Sequence, residues 1–213
     1  MSPPQPNFDR IARAYRWAEY LTLGPLLQRT RTHLLAQLPI RSRALVLGDG
    51  DGRFLAQLLD HQPHLHALAV DTSATMLHLL RHRCHASADR LQTLQASALT
   101  LAPSPETDLI TTHFFLDCLT QPEVDALTHN LATQLAPGAL WLLSDFGQPR
   151  PRALRPLASL YIRALYLAFR ILTNLRVTHL PDPQTALRNA GFHRIAHHDL
   201  LFGLLYTELW QYR

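Results

Sequence analysis

Of the 213 residues none is a lysine, so all 20 basic residues are arginine and the formal net charge is +4. The absence excludes a Tyr-x-x-x-Lys base of the kind many nicotinamide oxidoreductases carry. Only two cysteines occur, Cys84 and Cys118, with neither a CxxC pair nor zinc-finger spacing. They read as reduced thiols, which points to the cytoplasm and away from a disulfide scaffold or a metal centre. The opening "MSPPQPNFDR" lacks the charged and apolar regions of a signal peptide. Long uninterrupted apolar runs are missing too. The most apolar segment, 153–175, holds Arg155, Arg163 and Arg170, and each arginine at mid-bilayer would cost about 2.5–3.5 kcal/mol. No transmembrane span is expected. The arginines are scattered and no nucleic-acid motif is present, so no nucleic-acid partner is expected either.

What is present is a regular alternation of apolar strands and helices from 44 to 146. "ALVLG" closes on a glycine, "LHALAVD" ends in an acid, and "LQTLQAS", "TDLITTHFF" and "ALWLLSDF" follow, with helical segments between them. That rhythm predicts a parallel sheet covered on both faces. After residue 150 a long helix, a short helix after Pro183 and two strands around Gly203 predict an antiparallel finish. The fold class is therefore α/β, a Rossmann-like three-layer sandwich. Its seven-stranded, mostly parallel sheet ends on an antiparallel C-terminal strand. The expectation is a single domain over 1–213. It comprises an N-terminal helical cap (1–40), a cofactor-binding core (41–148), an inserted lid or interface helix after the fifth strand (149–182), and a helix with a strand pair (183–213).

The stretch "VLGDGDGRF" sets the chemistry. Gly48, Gly50 and Gly52 between a strand and a helix bring backbone N–H groups to a helix N-terminus, a place for an anionic group. Asp49 and Asp51 in the same loop would repel a pyrophosphate. At roughly 4 Å and an effective dielectric of 20, a like-charge pair costs about 4 kcal/mol. A zwitterion fits better: S-adenosylmethionine brings a carboxylate together with an ammonium and a sulfonium. Asp71, 19 residues after Gly52 and at the end of the second strand, is placed to accept from ribose hydroxyls. The glycines run G-x-G-x-G, and Arg53 and Phe54 stand where the dinucleotide fingerprint has its third glycine. A calcium loop is excluded because Phe54 occupies its obligatory glycine position.

These segments together resemble the class I S-adenosylmethionine-dependent methyltransferases, most closely the ubiquinone/menaquinone-biosynthesis type. "FDRIARAYRW" resembles the family's N-terminal segment, "VLGDGDGRF" its first motif, "AVDTSATML" its ribose segment and "TDLITTHFFLDCL" its fourth strand. "LAPGALWLLSDF" and "ALRNAGFHRI" match the later blocks. The chain departs from the pattern at Val46, where many relatives have an acid that Asp49 or Asp51 could replace. It departs again at Ser97, where many have an acid for the adenine amine. The resemblance implies a methyltransferase with S-adenosyl-L-methionine as cofactor, held by Tyr15, Gly48, Asp49, Gly50, Gly52, Asp71, Thr72, Met76, Ser97, Ala98 and His113. A nicotinamide oxidoreductase and a cofactor-binding module without turnover are the alternatives.

Methyl transfer is an in-line displacement, and a base is needed only when the acceptor is protonated. His113 and Asp117, at the end of the fourth strand, are the candidate catalytic residues. His113 could equally be a hydrogen-bonded strand-end histidine, and Asp117 the N-cap of the next helix. Phe114, Asp117, Tyr166 and Phe169 are the candidate substrate contacts, for a small, apolar or aromatic methyl acceptor. The helix over 152–175 reads as a lid over that acceptor, a homodimer contact, or, third, a peripheral membrane contact.

Overall fold

The computed structural model describes residues 23–173, 177 and 179–213, with side chains of 166–173 outside the description. Seven strands form one sheet in the order β3-β2-β1-β4-β5-β7-β6. They are β1 (Arg43–Leu47), β2 (His66–Asp71), β3 (Leu91–Gln95), β4 (Leu109–His113), β5 (Leu140–Phe146), β6 (Phe192–Leu200) and β7 (Leu205–Tyr212). The first five run parallel, and β7 is antiparallel to both β5 and β6. The expected sheet and its antiparallel finish are both present.

The helices are α1 (Gly24–Thr32), α2 (Arg53–His61), α3 (Ala74–Arg83), α4 (Gln121–Ala132), α5 (Arg155–Thr173) and α6 (Pro183–Asn189). Strand alternation sends successive side chains to opposite faces. Leu45, Leu47, Ile110, Trp141 and Leu143 pack on Val124, Leu127 and Leu131 of α4 and on Leu187 of α6. Ala44, Val46, Ala69, Leu109 and Leu142 pack on the other face, against Phe54, Leu55, Leu58 and Leu59 of α2. The strands are buried on both sides, which is why β1, β4 and β5 read as near-continuous apolar runs. Helix starts follow local chemistry. Ser73 caps α3 by accepting from the Met76 N–H at 3.1 Å. At α4 the Thr120 N–H and hydroxyl both donate to Glu123, at 2.8 and 2.7 Å, so Asp117 has no capping role there. Among the described residues no helix is long and apolar enough to cross a membrane.

Candidate active site

The carboxyl ends of β1, β2, β4 and β5 share one edge of the sheet, where ligands of open α/β sheets bind. The loop between β1 and α2 turns through three left-handed glycines: Gly48 at φ +66°, Gly50 at +60° and Gly52 at +80°. A Cβ on Gly48 would strike the Phe115 ring, and one on Gly52 would come within 2.9 Å of Leu80. A Cβ on Gly50 would meet nothing within 4 Å, so the backbone there opens onto free space. The two acids of this loop are compensated locally. Asp49 accepts from the Leu55 N–H at 2.9 Å, in the first turn of α2. Asp51 pairs with Arg83 at 2.9 Å and Arg53 at 3.1 Å. Val46, where many relatives have an acid, is buried under α2. Asp71 stands next door on β2 and accepts from the Ser73 N–H at 2.8 Å. Ser97 accepts from the Leu99 N–H at 3.2 Å, within a short 3-10 turn that carries Ala98.

The β4–β5 corner is a different construction. The Phe114 N–H extends the ladder to Ser144 O at 2.8 Å, and then the chain turns at Phe114 itself, with φ +53°. A left-handed bulky residue is strained, and such strain persists only where packing over-determines it. Here Phe114 is wedged among Leu27, Phe146 and Leu205, with the Arg31 guanidinium 5.1 Å from its ring centre. The turn delivers Asp117 onto Asp145, the sixth residue of β5. Both are buried. The Asp117 N–H donates to Asp145 at 3.2 Å, which brings the two acids together. Burial pushes the Asp117 carboxyl up to about 6, and burial with the Asp117 charge holds Asp145 well above the ordinary carboxylate range. Two such groups in contact titrate as a pair and resist being ionised together.

Cys118 adds its thiol, 3.6 Å from Asp117. Burial and the Asp117, Asp145 and Asp71 charges all raise it, so it stays a thiol. Cys84 is likewise pushed up, to about 12, by burial, so neither cysteine is an activated nucleophile.

His113 is a hydrogen-bonded histidine at the end of its strand. Period-two alternation turns it beneath α2, where it packs 4.0 Å from the Phe54 ring centre and bonds Ser144 through Nδ1 at 3.0 Å. Burial, then Arg31, lowers its pKa well below the ordinary value, so the ring is neutral. Met76 is buried on α3. Tyr15 lies outside the described residues; Tyr166 and Phe169 fall on α5, where side chains are not described. Asp145 went unassigned in the sequence. The signal available was an acid at a position of "LWLLSDF" whose neighbours are all apolar or small.

Residues 44–138 match the model of the family described as the methyltransferase domain. This is the class I methyltransferase fold. A curated relative, trans-aconitate 2-methyltransferase of Azoarcus sp. strain BH72, is 29% identical over 142 residues, 64% of this chain and 54% of its own length. An O-methyltransferase family protein from Burkholderia thailandensis superposes with a TM-score of 0.70 at 20% identity, over 94% of this chain and 59% of that one. The S-adenosylmethionine-dependent methyltransferase SibL superposes at 0.67 with 19% identity, over 100% of this chain and 63% of its own. The chain spans about half the length of the curated relative it matches. These likenesses give no support to the nicotinamide alternative. The cofactor of the class, S-adenosylmethionine, fits the edge described: Gly50 opens onto space that a side chain would fill, and Asp71 offers a carboxylate beside it.

Proposed function

We propose that the chain is a methyltransferase that moves a methyl group from S-adenosylmethionine to a hydroxyl of a small, uncharged, largely apolar acceptor. The observation that carries this reading is the buried Asp117–Asp145 pair, on the same edge as the glycine loop. When bound, S-adenosylmethionine supplies an electrophilic methyl group on a good leaving group. The chain's own part is placement and proton handling. The N–H groups about Gly48, Gly50 and Gly52 hold the cofactor's amino-acid end, Asp71 accepts from its ribose hydroxyls, and Ser97 and Ala98 meet the adenine. Met76 packs against that end of the site.

Asp117, ionised above about pH 6, accepts the proton of the acceptor hydroxyl as its oxygen attacks. Asp145 keeps its own proton and fixes Asp117 by hydrogen bonding. A general base works best when its pKa lies near the working pH, and a buried carboxyl raised to that range meets the condition. Phe114, Tyr166 and Phe169 serve as apolar contacts for the acceptor. His113, neutral and bonded to Ser144, orients the strand end and takes no proton.

The curated relative's name specifies trans-aconitate as its acceptor. A carboxylate acceptor needs no base, and two carboxyl groups sharing one proton would repel it. The corner therefore favours a neutral hydroxyl compound. The setting that suits the reading is the cytoplasm, with no nucleic acid as partner. The test is transfer of labelled methyl from S-adenosylmethionine to two pools: apolar phenols and alcohols, and di- and tricarboxylic acids. Labelled phenols or alcohols, with loss of transfer in Asp117→Asn, are expected. Labelling confined to the acids would overturn the reading.

A further inference from the structure

Between Asp145 and Asp182 the sequence has six arginines and no acidic residue. This stretch contains α5 and the strap that leads into it. On the inner side of α5, Ala158 and Ile162 are buried, and Tyr161 and Leu165 pack on the clusters around Phe146 and Val177. The outer side is not polar as a surface helix normally is. Leu157 is 68% exposed and Leu160 66% exposed, with Leu154 beside them at 37%. Arg152, Arg155 and Arg163 are exposed around these leucines, and no ion pair among the described residues involves any of the three.

A second apolar element stands next to the strap. In the turn between β6 and β7, Leu201 and Phe202 both adopt left-handed backbone, at φ +47° and +58°. Two successive strained residues hold the Phe202 ring 69% exposed. Phe202 O accepts from the Arg150 N–H at 2.9 Å, which ties this turn to the strap. Leucines and a phenylalanine point outward among arginines, and the acid at the rim, Asp199, is paired with Arg150.

We propose that the outer face of α5, with the Phe202 turn, docks on an anionic lipid bilayer. Apolar side chains enter the boundary between headgroups and acyl chains, while arginines engage lipid phosphates and acidic headgroups. A second copy of the chain fits this face poorly. A two-fold interface sets a patch against itself, so Arg152, Arg155 and Arg163 would meet their own copies, and the acid at the rim, Asp199, is already taken by Arg150. The inference is independent of the acceptor proposed above. It does place the inner side of α5 toward the β4–β5 corner while its outer side lies on the lipid.

The test is co-sedimentation of the whole chain with two kinds of vesicle, phosphatidylcholine alone and phosphatidylcholine mixed with phosphatidylglycerol. Binding to the mixed vesicles alone is expected, weakening as salt is raised past the screening range. Two double variants, Leu157→Asp with Leu160→Asp and Arg152→Glu with Arg163→Glu, should each lose at least tenfold in partitioning, with circular dichroism confirming that they fold. No sedimentation with either vesicle, or equal binding by parent and both variants, overturns the proposal. So does a concentration-dependent dimer in light scattering that Leu157→Asp converts to monomer while vesicles are ignored, because the face would then be a subunit interface.

Discussion

In the loop between β1 and α2 every acid has a positive or N–H partner of its own: Asp49 takes the first turn of α2, and Asp51 takes Arg53 and Arg83. At the β4–β5 corner the two acids take each other. The loop is permissive through glycine, and its shape is backbone shape. The corner forces a phenylalanine into left-handed space and brings two carboxyl groups out of water together. One region presents backbone donors with its acids turned to local partners; the other buries two acids against each other. A ligand anchored by the first can react under the influence of the second because both lie on the carboxyl edge of one sheet.

If this division is right, substitutions at the corner should change rate and those in the loop should change affinity. The largest effect is expected for Asp117→Asn. Losing a general base lowers kcat by about 10²–10⁴-fold, with S-adenosylmethionine affinity by calorimetry unchanged. The parent rate should rise with pH through about 6, following Asp117, and flatten above it. An Asp117→Asn chain that loses affinity as much as rate would erase the distinction between the two regions. Next, Asp71→Ala should weaken S-adenosylmethionine and its demethylated product equally. Loss of hydrogen bonds to a charged group costs roughly 1.5–3 kcal/mol, about 10–150-fold in Kd by titration. Gly50→Val follows. Left-handed backbone costs a residue with a Cβ about 1–2 kcal/mol, which thermal unfolding reads. The domain should still fold, since nothing lies within 4 Å of the added carbon, but cofactor binding should fail.

A smaller effect concerns pH and stability. Carboxyl groups raised in the folded state favour folding while protonated, so their contribution is present at low pH and fades as pH rises through the folded values. For Asp117 that window runs from its ordinary range up to about 6, and for Asp145 it extends higher. The parent Tm should therefore fall between pH 5 and pH 8 by more than that of Asp145→Asn. A relief of about 1 kcal/mol corresponds to roughly 2–4 °C in a domain of this size. The smallest effect is expected for Asp51→Ala. Its ion pairs are partly exposed and contribute under about 1 kcal/mol, and cofactor affinity should not move. A large loss of affinity there would return Asp51 to the binding site.

The loop and the sheet could be read from the sequence because their signals are local. A strand, a glycine turn and a helix occupy consecutive residues, and Asp71 follows at a spacing set by one βαβ crossover. The corner could not be read in the same way. Asp117 and Asp145 are 28 residues apart, and the apolar pattern of "LWLLSDF" identifies a buried strand without saying what its acid faces. His113 stood at the right end of the right strand. Counting alternation from Leu109 puts it with Thr111 on the α2 side, away from Asp145. Asp117 was also a reasonable helix cap until Thr120 and Glu123 were seen to supply one. Proteins place charge against hydrophobic patterning where chemistry is needed, so a sequence pattern leaves such residues' surroundings open.

The position of β7 has a consequence for biosynthesis. It follows every other strand along the chain yet inserts between β5 and β6, and its Tyr206 is registered against Asp145. On the ribosome, the parallel strands and the glycine loop emerge well before it. Until Leu205–Tyr212 has left the exit tunnel, the nascent domain presents the open edge of β5, apolar and with its hydrogen-bonding groups unpaired. The cofactor's half of the site can thus form during translation, whereas the proton-holding half must wait for the last strand. In that interval, chaperone contact should concentrate on the exposed β5 edge.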